Sequence, residues 1–166
     1  SDGDVDLLSI AKSVAPGPEL EPTYHSKTLL ALEELGDYQI TELPGGVEQD
    51  ELTGRPLSDG GGWYSYIRRW YFDKKTNAQI FFTYETYNCG DKPIPLEEAA
   101  KMYIGGDSDP QYQTICGYPG AFIQKDASAE VVWFQGNEQK GVLFDLYSED
   151  YPVEELLTMA ESVRKQ

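Results

Sequence analysis

Aromatic side chains are the chemical group in which this sequence is richest: it contains twelve tyrosines, three tryptophans and six phenylalanines. Trp63, Tyr64 and Tyr71 fall near the end or on mixed faces of a predicted strand, directly after a glycine-rich stretch. A row of exposed rings can bind a glycan, a peptide or a partner protein, whereas the alternative is a twisted sheet covered by helices with tyrosines at its rim. Arg68 lies on the apolar face of the same predicted hairpin, where it needs a carboxylate or carbonyl partner. The candidate ligand-binding residues are therefore Trp63, Tyr64, Arg68 and Tyr71.

Catalytic motifs are missing from the sequence. Its only histidine, His25, lies on a predicted loop, and no Gly-x-Ser-x-Gly motif, phosphate-binding loop or dinucleotide fingerprint occurs. The residues from Asp2 onward begin like a calcium-binding loop but do not complete the motif, because Leu7 and Ser13 occupy the positions where that loop needs glycine and glutamate. We expect a protein that is not an enzyme and that binds no cofactor and no metal ion. The 29 acidic residues leave open a small secreted hydrolase that uses two carboxylates, because spacing in sequence does not give separation in space.

The two cysteines, Cys89 and Cys116, each lie beside a glycine at the edge of a probable strand. With one histidine and no Cys-x-x-Cys spacing, the chain has too few ligands for a cysteine-rich zinc site. The pair is a candidate disulfide, and the alternative is two unrelated buried thiols.

Length and charge limit the choice of partners. The chain has 166 residues, which fits one domain, and its 13 basic and 29 acidic residues give a net charge of −16. Such a surface repels phosphate backbones and anionic lipid headgroups, so we expect no nucleic acid partner. No run of apolar residues is long enough to cross a bilayer, so we predict no transmembrane segment in this chain.

The front of the chain is predicted to be helical and then irregular. Apolar residues recur at helical spacing over residues 1–37, and Gly36 would end the last helix of this stretch. Residues 38–43 could form a short strand, and residues 44–62 read as a long glycine-rich loop. We assign residues 1–37 as an N-terminal helical segment of a single domain whose sheet lies in residues 38–166.

An aromatic hairpin follows, in which residues 63–72 pair with residues 78–87. If the loop is residues 75–77, with Asn77 in the left-handed conformation, Phe72 faces Ile80. That register puts Arg69 on the opposite, polar face of the hairpin, together with Asp73, Thr83 and Glu85.

The remaining elements are a helix over residues 95–104, four strands and a closing amphipathic helix over residues 152–165. We therefore predict an α+β fold: an antiparallel, strongly twisted sheet of two hairpin units packed by helices, one of them C-terminal. The four strands lie around residues 113–116, 121–125, 130–135 and 142–147.

The C-terminal part carries motifs that belong together in a known family. In that family a strand ending in glycine precedes a hairpin with tryptophan, a turn and an aromatic-x-Leu segment, and a helix beginning Glu-Glu-Leu follows. The matching motifs here are Gly117-Tyr118-Pro119-Gly120-Ala121, Glu130-Val131-Val132-Trp133, Gly141-Val142-Leu143-Phe144-Asp145-Leu146 and the helix from Glu154 to Val163.

With these motifs the chain resembles an extracytoplasmic domain of unknown function that is common in Gram-positive-type bacteria. Its members are lipoproteins or the outward-facing parts of membrane-anchored proteins, some with an anti-sigma-factor-like cytoplasmic end. The resemblance implies export, an α+β fold and a regulatory or binding role, and it implies no catalytic residues. We expect an extracytoplasmic sensing or binding domain whose partner is a protein, a peptide or a cell-wall saccharide.

Overall fold

The computed structural model describes residues 32–59, 62–104 and 109–166, with side chains described outside residues 50–59 and 62–65. Most of the predicted helical segment over residues 1–37 therefore lies outside the described residues. Its end is described: residues 32–35 are helical, and the Gly36 N–H donates to the Leu32 carbonyl at 2.8 Å. Gly36 has a φ of +89°, the left-handed conformation expected of a glycine that ends a helix.

The fold is α+β and mostly antiparallel, as predicted. The described residues form a seven-stranded sheet of order β2-β3-β4-β8-β7-β6-β5 and a two-stranded sheet of β1 and β9. Every pair of neighbouring strands is antiparallel. The strands are β1 (Tyr38–Ile40), β2 (Val47–Asp59), β3 (Gly62–Asp73), β4 (Gln79–Asn88), β5 (Gln111–Ile115), β6 (Tyr118–Gln124), β7 (Ala129–Gly136), β8 (Lys140–Ser148) and β9 (Val163–Lys165).

Two helices pack on opposite faces of the larger sheet. Helix α1 (Leu96–Ile104) buries Ala100 and Ile104 on β6 and β7, and we call this side the α1 face. Helix α2 (Val153–Glu161) buries Leu156 and Met159 on the other side, the α2 face. Among the described residues, no helix has the length and apolar character needed to cross a membrane.

The closing helix is shorter than predicted, because the chain returns to strand after Ser162. The predicted helix reaches residue 165, but α2 ends at Glu161 and β9 pairs with β1. Ser162 fixes this change of direction: its carbonyl accepts from the Thr41 hydroxyl at 2.6 Å, and its hydroxyl oxygen accepts from the Glu42 N–H at 3.0 Å. These bonds to a distant segment replace the last helical turn.

The prediction of a long loop over residues 44–62 is wrong. Residues 47–59 form β2, which pairs along its length with β3 apart from an irregularity between Gln49 and Leu52. The short turn before β2 is irregular: Gly46 has a φ of +96°, and the Val47 N–H donates to the Pro44 carbonyl at 3.1 Å. The polar, glycine-rich composition does not prevent a strand here, because β3 supplies its backbone hydrogen bonds.

The predicted register of the β3–β4 hairpin is off by one residue. Phe72 lies opposite Gln79, and Ile80 lies opposite Tyr71. The turn contains one residue more than predicted, since the Asp73 N–H donates to the Ala78 carbonyl and the Asp73 carboxylate accepts from the Lys75 N–H at 2.7 Å. The same backbone bond lowers the pKa of Asp73. Asn77 is left-handed, as predicted, with a φ of 60°.

The corrected register decides which side chains share a face. A one-residue change turns each side chain of one strand to the other side relative to its partner strand. The α2 face of the hairpin carries Ile67, Arg69 and Tyr71 with Ile80, Phe82 and Tyr84. The α1 face carries Tyr66, Arg68, Trp70 and Phe72 with Phe81, Thr83 and Glu85.

The α2 face holds the main core. Trp133 is 1% exposed and stacks on Phe144, with ring centroids 4.9 Å apart and planes 5° apart. Phe82 continues this stack, 6.2 Å from Phe144. The core also contains a charged group, Arg69, which is 2% exposed and pairs with the Asp37 carboxylate.

Candidate functional site

Three acidic side chains meet on the α1 face, and we call them the carboxylate row: Glu85 of β4, Asp145 of β8 and Glu130 of β7. Glu85 lies opposite Leu143, and Glu130 lies opposite Tyr147, so each is a diagonal neighbour of Asp145. Diagonal neighbours on one face of a sheet have Cβ atoms about 7–8 Å apart or somewhat less. The sheet therefore brings together three acids that are far apart in the sequence.

Asp145 is the most unusual member of the carboxylate row. Its Oδ1 atom is buried and has no hydrogen-bond partner among the described residues. Burial raises the pKa of Asp145 to about 8, the negative charges of Glu130 and Glu85 act in the same direction, and the charge of Arg68 opposes them. At neutral pH this carboxyl group is mostly protonated, so it can both donate and accept a hydrogen bond.

The other two acids are perturbed in the same direction. Burial raises the pKa of Glu85, which a hydrogen bond from Tyr103 and the charge of Arg68 partly offset. Burial also raises the pKa of Glu130, and the charge of Lys125 opposes that shift. All three carboxyl groups are thus held where water solvates their charge poorly.

Arg68 supplies positive charge beside the carboxylate row. Its Nε donates to the Thr83 hydroxyl oxygen at 3.1 Å, and its guanidinium lies 6.0 Å from the centre of the Tyr66 ring. Thr83 is directly opposite Asp145 across the β4–β8 pair. Arg68 therefore bonds a hydroxyl oxygen on the α1 face, and its positive charge acts on Asp145 and Glu85.

Helix α1 adds Tyr103 to the site. Its hydroxyl group hydrogen-bonds Glu85, and the side chain is 39% exposed. Burial of the hydroxyl end raises the pKa of Tyr103, and the charges of Asp145 and Glu85 raise it further. Tyr103 remains a neutral hydrogen-bonding group, placed by the packing of Ala100 and Ile104 on the sheet.

An apolar groove of about 340 Å³ lies between α1 and the sheet, and Tyr103 is part of its lining. Glu85 belongs to both the groove and the carboxylate row, and Tyr103, which also lines the groove, hydrogen-bonds Glu85. Most of the remaining lining is hydrophobic, and it consists of Tyr87, Cys89, Ile94, Leu96, Ala99, Met102, Phe134, Glu138 and Leu143.

A short aromatic row lies on the other side of the carboxylates. The centroids of Trp70 and Phe81 are 5.2 Å apart, and those of Phe81 and Tyr147 are 6.3 Å apart. Trp70 is 38% exposed, and Tyr147 is next to Glu130 across the β7–β8 pair. The α1 face thus presents aromatic rings, carboxyl groups and an apolar groove side by side.

The four candidate ligand-binding residues do not form one surface. Arg68 lies on the α1 face, but Tyr71 is 1% exposed within the core of the α2 face, so its ring offers nothing to a ligand. Trp63 and Tyr64 lie in β3, and their side chains are outside the described part of the structure. Arg68 and Tyr71 point to opposite faces because they are an odd number of residues apart on one strand.

The predicted disulfide is not formed, and both cysteines are thiols. Cys116 packs against the core of the α2 face, where its thiol donates to the Ala160 carbonyl at 3.0 Å. Cys89 lies in the groove of the α1 face. The sheet separates the two side chains, which explains the absence of a bridge. Burial, followed by the charge of Glu161, raises the pKa of Cys116.

Asp145, Glu130 and Tyr103 are site residues that the sequence analysis missed, and Glu85 was assigned to the polar face without a role. The signal for Asp145 is visible in the sequence: it is the one acid within the otherwise apolar run from Val142 to Tyr147. An acid in such a run has to be exposed, paired or perturbed. Its neighbours depend on strand pairing and leave no local signal.

Comparisons with known proteins and a search for metal ligands add no assignment. No protein-family model and no curated protein matches the chain. Within the described ranges, no group of three or more histidine, cysteine or acidic side chains is arranged to hold a metal ion. The geometry of the α1 face is therefore the basis for assigning a function.

Proposed function

We propose that this protein is a non-enzymatic binding domain that acts outside the cytoplasm and takes its ligand on the α1 face. One observation carries the proposal: Asp145 Oδ1 is buried without a hydrogen-bond partner among the described residues, and its diagonal neighbour Glu85 lines an apolar groove. An unsatisfied buried polar atom costs about 1–3 kcal/mol, so proteins keep such atoms where they serve a purpose. A bound group that hydrogen-bonds Asp145 removes this cost.

The groove and the aromatic row favour binding over catalysis. An apolar cavity with a few convergent polar groups is the usual form of a small-ligand site. Here the polar groups are Glu85 and Tyr103 at one end and Asp145 beyond them. The extracytoplasmic location is supported by the resemblance of the C-terminal motifs to an exported family.

The test is an NMR titration of the whole chain with small saccharides and short peptides, observed through backbone amides. We expect shifts at Thr83, Tyr103 and Asp145 for at least one probe. Ala99→Phe should abolish these shifts, because Ala99 lines the groove and a larger ring fills it. Lys101→Phe is the matched control, since Lys101 is exposed on the same helix and does not line the groove. Shifts confined to the α2 face, or none with any probe, would contradict the proposal.

A carboxylate-dependent hydrolase is a second candidate, favoured by the pKa of Asp145. A carboxyl group with a pKa of about 8 beside Glu130 has the protonation pattern of a general acid near an ionised partner. Diagonal neighbours also fall within the separation of about 5–9 Å found between glycosidase carboxyl groups. Chromogenic glycosides test this candidate: turnover that Asp145→Asn abolishes would establish it, and no turnover at pH 5–9 would exclude glycoside hydrolysis.

A further inference from the structure

We propose that the carboxylate row and the groove together bind the side chain of a lysine in a peptide, with its alkyl stem in the groove and its ammonium group at Asp145. This inference rests on the proposed binding function and names the class of ligand. Three independent features of the α1 face lead to it: charge, hydrogen-bonding capacity and shape.

The charge of the site favours a cation. Three carboxyl groups meet there, and the cations that act on them among the described residues are Arg68 and Lys125. The chain as a whole carries a net charge of −16, which attracts cations and repels anions over distances comparable to the Debye length. An ammonium group favours the ionised form of Asp145 and pairs with it, whereas a neutral saccharide supplies no charge to this carboxyl group.

The unpartnered oxygen of Asp145 favours a ligand that supplies a hydrogen-bond donor. An ammonium group has three N–H donors and no acceptor, and it fits between carboxyl groups that lack donors. Tyr103 hydrogen-bonds Glu85, Arg68 Nε donates to Thr83, and no described residue donates to Asp145 Oδ1. The compact ammonium suits this site better than a second planar guanidinium beside Arg68.

The groove has the character needed for the rest of a lysine side chain. Lysine buries its methylene stem along apolar surface while its charged end stays in a polar environment. Leu96, Ala99 and Leu143 provide such a surface, and the groove reaches the carboxylate row at Glu85. The aromatic row next to Glu130 adds ring faces that attract cations.

Binding of a cation also moves a proton. The groups that face Asp145 are Glu85 and Thr83 from β4, Arg68 from β3, Glu130 from β7 and Tyr103 from α1, with Lys125 acting on Glu130. An ammonium group among them favours the ionised form of Asp145, so the proton of its carboxyl group passes to the solvent. Binding below pH 8 should therefore release up to about one proton per ligand.

The experiment titrates the full chain with the peptide acetyl-Gly-Lys-Gly-amide, observed by NMR and by calorimetry in buffers of different ionisation enthalpy. The comparison peptides carry Nε-acetyl-lysine or glutamate in place of lysine, and chitotriose serves as the saccharide probe. We expect the lysine peptide to bind about tenfold more tightly than the Nε-acetyl peptide, because hydrogen bonds to charged groups are the strong ones. Proton release at pH 6.5 should accompany binding.

Variants separate this inference from the proposed function. Asp145→Asn should weaken lysine-peptide binding about tenfold and remove the proton release, while Glu154→Gln, the same acid-to-amide replacement at an exposed position of α2, should leave both unchanged. The amide spectrum of each variant reports whether it is folded. Equal binding of the two lysine peptides, or no effect of Asp145→Asn, overturns the inference. Chitotriose binding on the α1 face without lysine binding overturns the inference and leaves the proposed function standing, and no binding of any probe overturns both.

Discussion

Arg68 and Arg69 are consecutive residues of β3, yet they lie on opposite faces of the sheet and in opposite surroundings. Arg69 is 2% exposed, donates from Nε to the Tyr38 carbonyl at 2.9 Å and pairs with Asp37. Arg68 is exposed and lies beside carboxyl groups whose pKa values are raised. On the α2 face the charge of Arg69 is paired with one carboxylate, that of Asp37. On the α1 face three carboxyl groups lie near Arg68. The comparison separates a charge that stabilises the fold from charges that are available to a ligand.

The two faces also differ in how they are covered. On the α2 face, α2 and the β1–β9 ribbon enclose the core, and the ribbon is tied down by bonds from Thr41 and Glu42 to Ser162. On the α1 face, α1 packs on β6 and β7, and Trp70 on β3 remains 38% exposed. Substitutions on the α2 face should therefore change stability, and substitutions on the α1 face should change pH dependence and binding.

The largest expected effect is the pH dependence that Asp145 imposes on stability. The pKa of this group is about 8 in the folded protein against an ordinary value of 3.8, so between these values the folded state holds more protons than the unfolded state. Raising the pH from 4 to 8 should then cost on the order of 5 kcal/mol, since each pKa unit is worth about 1.4 kcal/mol. The contribution is complete below pH 4 and is lost as the pH rises through 8.

Urea denaturation of the wild type and of Asp145→Asn at several pH values measures this term. The variant lacks the titrating group, so its advantage over the wild type should grow with pH and level off above pH 8. Glu154→Gln on exposed α2 is the control and should follow the wild type. Parallel stability curves for the wild type and Asp145→Asn would show that Asp145 is not perturbed.

The second effect is the loss of the ion pair on the α2 face. Asp37→Ala should lower the free energy of unfolding by about 3 kcal/mol, because it leaves the buried Arg69 guanidinium without its carboxylate. The double variant Asp37→Ala/Arg69→Met should recover part of the loss, since no buried charge remains. Denaturation of the two single variants and the double variant measures the coupling. A loss of unfolding free energy below about 0.5 kcal/mol for Asp37→Ala would mean that the Asp37–Arg69 pair does not stabilise the fold.

Local sequence patterns predict most helices and strands of this fold, but they do not predict which side chains lie on which face of the sheet. The helix over residues 95–104 and the four later strands are found close to their predicted positions, because their apolar periodicity and turn residues are strong. The register of β3 and β4 is not predictable from alternation, because both faces of β3 are apolar: Tyr66 and Trp70 on one side, Ile67 and Tyr71 on the other. The bond from the Lys75 N–H to the Asp73 carboxylate decides between them.

The carboxylate row shows the same limit at longer range. Glu85 and Asp145 are sixty positions apart and become neighbours through the register of β4 and β8. No local rule gives that register, which depends on the packing of the whole sheet. What the sequence does offer is the anomaly itself, an aspartate within an apolar strand.

The third effect concerns Ser148, a buried polar residue of the α2 face whose hydrogen bonds are satisfied. Its hydroxyl donates to the Gln79 carbonyl at 2.6 Å and accepts from the N–H groups of Asp150 and Tyr151. Ser148→Ala should cost about 2 kcal/mol, because backbone groups near the core lose their partner. Thermal or urea unfolding measures the loss. Thr158→Ala removes an exposed hydroxyl that bonds within its own helix, and it should cost less than about 0.5 kcal/mol.

The smallest effect tests whether an unpartnered polar atom on the α2 face differs from Asp145 on the α1 face. The Tyr71 hydroxyl is buried near the Ile40 backbone without a hydrogen bond of normal geometry among the described residues. The Tyr84 hydroxyl, by contrast, accepts from the Tyr38 N–H at 3.3 Å. Tyr71→Phe should therefore raise the free energy of unfolding by up to about 1 kcal/mol, because it removes a buried hydroxyl without such a bond, and Tyr84→Phe should lower it by about 1 kcal/mol.

Both substitutions should leave binding on the α1 face unchanged, because neither hydroxyl reaches that face. Urea denaturation and the lysine-peptide titration of the two variants check these expectations together. The Tyr71 ring is 1% exposed within the core, so its unpartnered hydroxyl is a tolerated cost of packing the ring. Asp145 differs because its neighbour Glu85 lines an open groove. Weaker peptide binding in Tyr71→Phe would contradict this distinction and assign a ligand role to the α2 face as well.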